Sequence, residues 1–300
     1  CTPQKTIIPL LEEAAGKNCG GAVVFASGYG EVGPEGRERQ RELVEAADRL
    51  GIAVMGPNCA GFANFVDGIF AFAFLVEERE RGGNIGMISQ SGQIVLGGLD
   101  SPNMGFSHVI SSGNSCNVKV EDYLDFLVDD EDTKVVAAYM EGVTKPEKLV
   151  AVFQKAALKK KPVVVLKTGR SAKSQELAKS HTGSLSGADK VLRAVFKRYG
   201  VVEAGDLEEL MSLAAAFSWL EELPKGERCV FMNVSGGEAG VMADLSEEYG
   251  IQLAEMQQET KAYLKTLVPD YGSVNNPFDM TAGIGYNTPV MVQRSEEHTS

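Results

Sequence analysis

The chain has 300 residues, 44% of them hydrophobic and 23% charged, with a net charge of −12, which is room for two or three packed domains. The negative charge comes with neither an acidic tail nor a basic stripe, which argues against nucleic acid and anionic membrane as main partners. Five cysteines, Cys1, Cys19, Cys59, Cys116 and Cys229, form no C-x-x-C pair, a pattern that speaks against a disulfide framework or a zinc site and suits the reducing cytoplasm. No apolar run approaches the ~20 residues that cross a bilayer, and no signal peptide is recognisable.

Taken in order, the elements alternate short β-branched runs with longer helical patterns, the mark of βαβ units and a parallel sheet. TIIPLLEEAAG (6–16) predicts an amphipathic helix, GAVVFASG (21–28) a buried strand, EGRERQRELVEAADRLG (35–51) a charged helix and IAVMGPN (52–58) the next strand. The chain enters this unit directly at Cys1, as though an upstream strand were missing, so residues 1–80 read as a truncated Rossmann-like domain. FAFAFLVEERERGGN (70–84) reads as a linker at its charged, glycine-rich end.

Five strand signals follow: NIGMIS (84–89), HVISS (108–112), TKVVAAYME (133–141), KPVVVLKTG (161–169) and VVEAG (201–205). Helical patterns separate them, and DLEELMSLAAAFSWLEEL closes the unit as a helix expected to run to Pro224. Residues 81–224 are therefore expected to form a flavodoxin-like domain. A third unit, 225–293, opens as strand, small-residue turn and helix in GERCVFMNVSGGEAGVMADLSEEYG, and reads as cut short after NNPFDMTAGIGYN. The last seven residues, RSEEHTS (294–300), read as a translated sequencing adapter, and His298 is set aside with them.

The second and third units echo each other: IGMISQSGQ and CVFMNVSGG both run a strand into Ser-Gly and then a helix, at Ser91-Gly92 and Ser235-Gly236. Such a turn aims unpaired N–H groups and the positive end of a helix dipole at one point, which suits a phosphate, or else it is only a tight turn. Glu141 ends the strand VVAAYME, at the edge of a parallel sheet where ligands bind, or is a solvated loop acid. His181 lies among small residues in AKSHTGSLSG (178–187); an imidazole neutral near pH 7 can carry a phosphoryl group, with a carboxylate such as Glu141 fixing its tautomer, or it is a surface-loop histidine. His108, beside a strand, reads as structural. GPNCAGF (56–62) places Asn58 and Cys59 where an extended cofactor fits, or forms a Pro-Asn turn. GYGEVGPEG (28–36) carries less signal. Neither glycine set is a G-x-G-x-x-G or P-loop motif, which counts against direct NAD or ATP binding.

Together GPNCAG, IGMISQSGQ, AYMEG, KPVVVLKTGRS, SHTGSLSG, VSGGEAG and NPFDMT resemble the NDP-forming acyl-CoA synthetases, the superfamily of succinyl-CoA synthetase and the ADP-forming acetate–CoA ligases, over most of residues 1–293. The resemblance implies an oligomeric acid–thiol ligase that makes acyl-CoA from a carboxylic acid, CoA and ATP through an acyl phosphate and a phosphohistidine. It puts His181 in the phosphohistidine position and Glu141 in that of the acid that steadies it. It puts Ser91, Gly92 and Gln93 at one phosphate-binding helix start, Ser235, Gly236 and Gly237 at a second, and Asn58 and Cys59 near the thiol end of CoA. No protein-bound metal site is expected among these residues, because ATP, ADP and Mg belong to an ATP-grasp part that a fused continuation or a separate subunit supplies. An alternative from the same resemblance is the CoA-metabolite-sensing region of a protein acetyltransferase, and a third is a simple CoA-binding protein.

Overall fold

The computed structural model describes residues 3–75, 82–102, 104–169, 189–222, 224–270 and 272–282. The predicted segment around His181 and residues 294–300 lie outside them. The chain divides into two compact units, Cys1–Glu221 and Glu222–Ser300.

The first unit opens with helix α1 (Ile7–Gly16) and a parallel strand pair, β1 (Gly21–Val23) with β2 (Ala53–Met55), joined through helix α2 (Pro34–Leu50). In α2 a narrow apolar stripe of Leu43, Ala46 and Ala47 is buried within an otherwise charged sequence. From that stripe Leu43 and Ala47 pack with Ile7, Leu11, Ile52 and Val54 into one small core. Proline at the first helical turn needs no N–H there, so Pro34 starts the helix without loss.

Among the described residues the second sheet has seven strands. Five are the predicted ones: β5 (Ile85–Ser89), β6 (Phe106–Ser111), β7 (Val135–Met140), β8 (Val163–Lys167) and β9 (Val202–Ala204). They are mutually parallel in the order β6-β5-β7-β8-β9, which is the flavodoxin-like order with a switch point at β5. Two antiparallel strands, β3 (Gly61–Asn64) and β4 (Ile69–Phe72), extend the edge beyond β6. This hairpin was not legible as strands, and its four-residue connection is closed by Asn64, whose side chain accepts the Asp67 N–H at 2.9 Å.

Strands β5 to β8 are buried along their whole length, as expected when helices cover both faces of a parallel sheet. Side-chain alternation divides them. Ile88, Val136, Ala138, Met140 and Val165 pack with helices α4 (Val120–Asp129), α5 (Pro146–Leu158) and α6 (Asp189–Tyr199). Met87, Val135, Ala137, Val164 and Leu166 pack with α3 (Gly92–Leu99) and α7 (Leu207–Trp219) on the other face. Helix α7 stops at Trp219, short of the expected Pro224, because Leu220 turns to extended backbone (φ −65°, ψ 125°). His108 lies within β6, buried against Phe126, with Nδ1 3.3 Å from Asp130 but off hydrogen-bonding alignment.

In the second unit the run expected as one strand is split. Strand β10 (Arg228–Cys229) pairs with β12 (Gln252–Leu253), whereas β11 (Met232–Asn233) pairs with β13 (Phe278–Asp279). Two different partners for strands separated by only Val230 and Phe231 break the ladder between them. Helix α8 (Gly236–Glu248) lies against β11 and β13, and helix α9 (Gln258–Leu267) contributes Leu264 to a small core with Val268 and Phe278.

Candidate active site

Four strand ends of the first unit converge on one crevice of about 380 Å³. After β2 the chain turns through Gly56-Pro57 and reaches Asn58, whose N–H is held by the Ala26 carbonyl at 2.9 Å. Cys59 follows, its thiol donating to the Val24 carbonyl at 3.4 Å, and the Ala60 N–H is fixed by Ser111 Oγ at 3.0 Å. Burial pushes the Cys59 thiol up to about 11, so near neutral pH it is a protonated lining group and a poor nucleophile.

After β5 come Gln90, Ser91, Gly92 and Gln93, all on the crevice wall. Ser89 Oγ accepts the Ser91 N–H at 3.0 Å and donates to the Ser91 carbonyl at 2.7 Å, which fixes the turn. The first bond into α3 is Val95 N–H to Ser91 O at 3.3 Å. The N–H groups of Gly92, Gln93 and Ile94 therefore precede any intrahelical acceptor, and the Ser91 side chain makes no cap bond. This is the donor arrangement an anion requires.

After β7 comes Glu141. Its N–H and that of Gly142 both donate to Gln90 Oε1, at 2.7 and 3.2 Å, and its carbonyl accepts from Lys167 Nζ at 2.8 Å. Burial, joined by the nearby Glu141 carboxylate, raises the pKa of Tyr139, so its hydroxyl remains a donor. After β6, Gly113 and Asn114 complete the wall.

Sequence reasoning missed a polar chain at the far side. Asn114 Nδ2 donates to Glu31 at 2.6 Å and to Gln40 at 2.9 Å, and Asn114 Oδ1 accepts from Asn58 Nδ2 at 3.4 Å. Burial alone would raise the Glu31 pKa, but the bonds from Asn114 and from the backbone N–H groups of Gly28 and Tyr29 outweigh it and hold Glu31 ionised. The loop GYGEVGPEG thus acts on the crevice through Glu31. Ala60, Ala73 and Phe74 give the crevice an apolar side.

The structure therefore brings together Asn58, Cys59, Ser91, Gly92, Gln93 and Glu141. Ser235, Gly236 and Gly237 belong to the second unit, where they begin α8 with Ser235 at the N-cap and Asp279 close beside Gly236. His181 lies outside the described residues. Among the described residues no cluster of His, Cys, Asp and Glu could hold a metal ion, and no helix is long and apolar enough to cross a membrane.

A parallel sheet of flavodoxin-like order, with a helix start and a carboxylate gathered at its strand ends, defines a doubly wound α/β domain. Residues 82–217 match the succinyl-CoA ligase-like flavodoxin domain family. The alpha subunit of an ADP-forming acetate–CoA ligase of Pyrococcus furiosus is 36% identical over 283 residues, covering 93% of this chain and 61% of that protein. A trans-feruloyl-CoA synthase from an unidentified prokaryote is 32% identical over 293 residues, covering 96% of this chain and 41% of that protein. An acetyl-coenzyme A synthetase of Candidatus Korarchaeum cryptofilum, solved with phosphate and ADP, superposes with a TM-score of 0.82 at 30% identity, over 93% of this chain and 60% of that one. The chain is thus homologous over nearly its whole length to ADP-forming acid–CoA ligases, and it spans between 40% and 61% of the length of the curated relatives it matches.

Proposed function

We propose that this chain supplies the CoA-binding and phosphoryl-relay part of an acid–thiol ligase, which forms acyl-CoA from a carboxylic acid, CoA and a nucleoside triphosphate. The observation that supports it best is the single crevice that gathers the α3 start, Glu141 and the Asn58–Cys59 turn. In this reading the N–H groups of Gly92 and Gln93 and the Ser91 hydroxyl hold the phosphoryl group of an acyl phosphate. The CoA thiol, entering beside Asn58 and Cys59, attacks the acyl carbon; the C–S bond forms, the C–O bond breaks, and phosphate leaves with the thiol proton.

His181 carries the phosphoryl group to the acid: its N–P bond breaks as the carboxylate oxygen forms its bond to phosphorus. Glu141 fixes the imidazole tautomer and offsets its charge. Ser235, Gly236 and Gly237 form a second phosphate station. An ATP-grasp domain or subunit binds ATP and Mg and charges the histidine, and the assembly is a cytoplasmic oligomer.

The test supplies acetyl phosphate and CoA without nucleotide. The reading expects acetyl-CoA and phosphate to appear, and expects His181→Ala to retain this acyl transfer while abolishing ATP-dependent turnover in the presence of an ATP-grasp partner. CoA binding with no acyl transfer would instead mark a simple CoA-binding protein.

A further inference from the structure

Strand β7 lies between β5 and β8, and its backbone ladder ends just before Glu141. The last link to β5 is Gln90 N–H to Tyr139 O at 3.3 Å, and the last link to β8 is Thr168 N–H to Met140 O at 3.1 Å. One residue further on, side chains from the same two neighbours take over: Gln90 Oε1 accepts the N–H groups of Glu141 and Gly142, and Lys167 Nζ donates to the Glu141 carbonyl. A carbonyl oxygen has two lone pairs, so one amide can hold both N–H groups. Lys167 is itself 8% exposed, so its end of the grip is buried.

From this geometry we infer that Gln90 is a positioning residue: its carbonyl extends the sheet by one residue and holds the Glu141 backbone in the orientation that aims the carboxylate into the crevice. The inference rests on the role proposed above for Glu141. Gln90 also lines the crevice, so the competing role is direct contact between its NH₂ group and the bound anion. The two roles separate chemically. Glutamate at this position keeps the acceptor but loses the donors and adds a charge that repels phosphate, whereas methionine loses both.

Two measurements on the full chain decide it. Amide hydrogen exchange at Glu141 and Gly142 is expected to accelerate by about ten-fold or more in Gln90→Met and to stay near wild type in Gln90→Glu. The rate at which acetyl [³²P]phosphate leaves an acid-labile, alkali-stable label is expected to fall by about ten- to a hundred-fold in Gln90→Met, as for a catalytic group displaced by about 1 Å. In a Glu141→Gln background, Gln90→Met should change that rate by less than about two-fold, because the two residues act as one unit. Unchanged exchange in Gln90→Met overturns the inference, as does exchange in Gln90→Glu as fast as in Gln90→Met. A wild-type chain that takes no label overturns the proposed function, and with it the catalytic half of this inference, while the exchange rates still decide whether Gln90 holds the loop.

Discussion

Gly113 sits where the turn after β6 nests against the turn after β2, with φ +56°. A Cβ there would lie 2.3 Å from the Asn58 carbonyl oxygen and 2.4 Å from that of Pro57. Ordinary contact begins at 3.4 Å, so in Gly113→Ala one backbone must move by about 1 Å. Left-handed strain of about 1–2 kcal/mol adds to an overpacking cost of about 1–3 kcal/mol. Together they predict a loss of about 2–5 kcal/mol, or roughly 5–15 °C in melting temperature for a unit of this size. The displaced turn carries Asn58, so CoA affinity measured by titration calorimetry should also weaken by at least about ten-fold. Gly68 is the control: its φ is +69° but nothing lies within 4 Å, so Gly68→Ala should cost only the strain of about 1 kcal/mol and leave CoA binding unchanged. Wild-type melting and wild-type CoA affinity in Gly113→Ala would refute the reasoning.

Thiol chemistry and acid stability give two further predictions. With Cys59 and Cys116 both pushed up to about 11 by burial, only about one thiol in a thousand is ionised at pH 8. Iodoacetamide should therefore modify exposed Cys19 and Cys229 first, as read by peptide mass spectrometry, and early labelling of Cys59 would contradict the buried environment assigned to it. On the α4–α5 face, Lys155 and Lys159 lower the Asp129 carboxyl to about 2. Burial would raise that of Asp122, but Lys148, the Lys119 N–H and Lys145 bring it below its ordinary value. Because these values are depressed in the fold, the stability they contribute is complete above about pH 4 and is lost as pH falls towards 2. The urea midpoint should drop over that interval, and less steeply in Asp122→Asn; a midpoint that rises on acidification would show the sign to be wrong.

How much of this was legible depends on how local each cause is. Strands β5 to β8 are buried on both faces, so their apolar runs stand out against helices with clear amphipathic spacing. The hairpin of β3 and β4 is short and at a sheet edge, and only Asp67-Gly68 marked its turn. The two-residue strands of the second unit depend on partners far along the chain, as with Met232 and Phe278, and no local pattern encodes such a pairing.

In the site, Ser91, Glu141 and Asn58 were legible because each follows a recognisable strand, and chemistry in parallel sheets gathers at strand ends. Glu31 and Asn114 were not, since their roles arise from a contact across 83 residues. Gln90 belongs with them. It adjoins the serine that was singled out, yet its importance lies in an acceptor shared by two N–H groups 51 and 52 residues away.

The most direct test of the central claim is to map the phosphoryl label. After incubation of the chain with acetyl [³²P]phosphate, acid-labile and alkali-stable label should sit on His181, disappear in His181→Ala and be discharged by acetate. Label on another residue, or full ATP-dependent synthesis of acyl-CoA by His181→Ala with an ATP-grasp partner, would contradict the account.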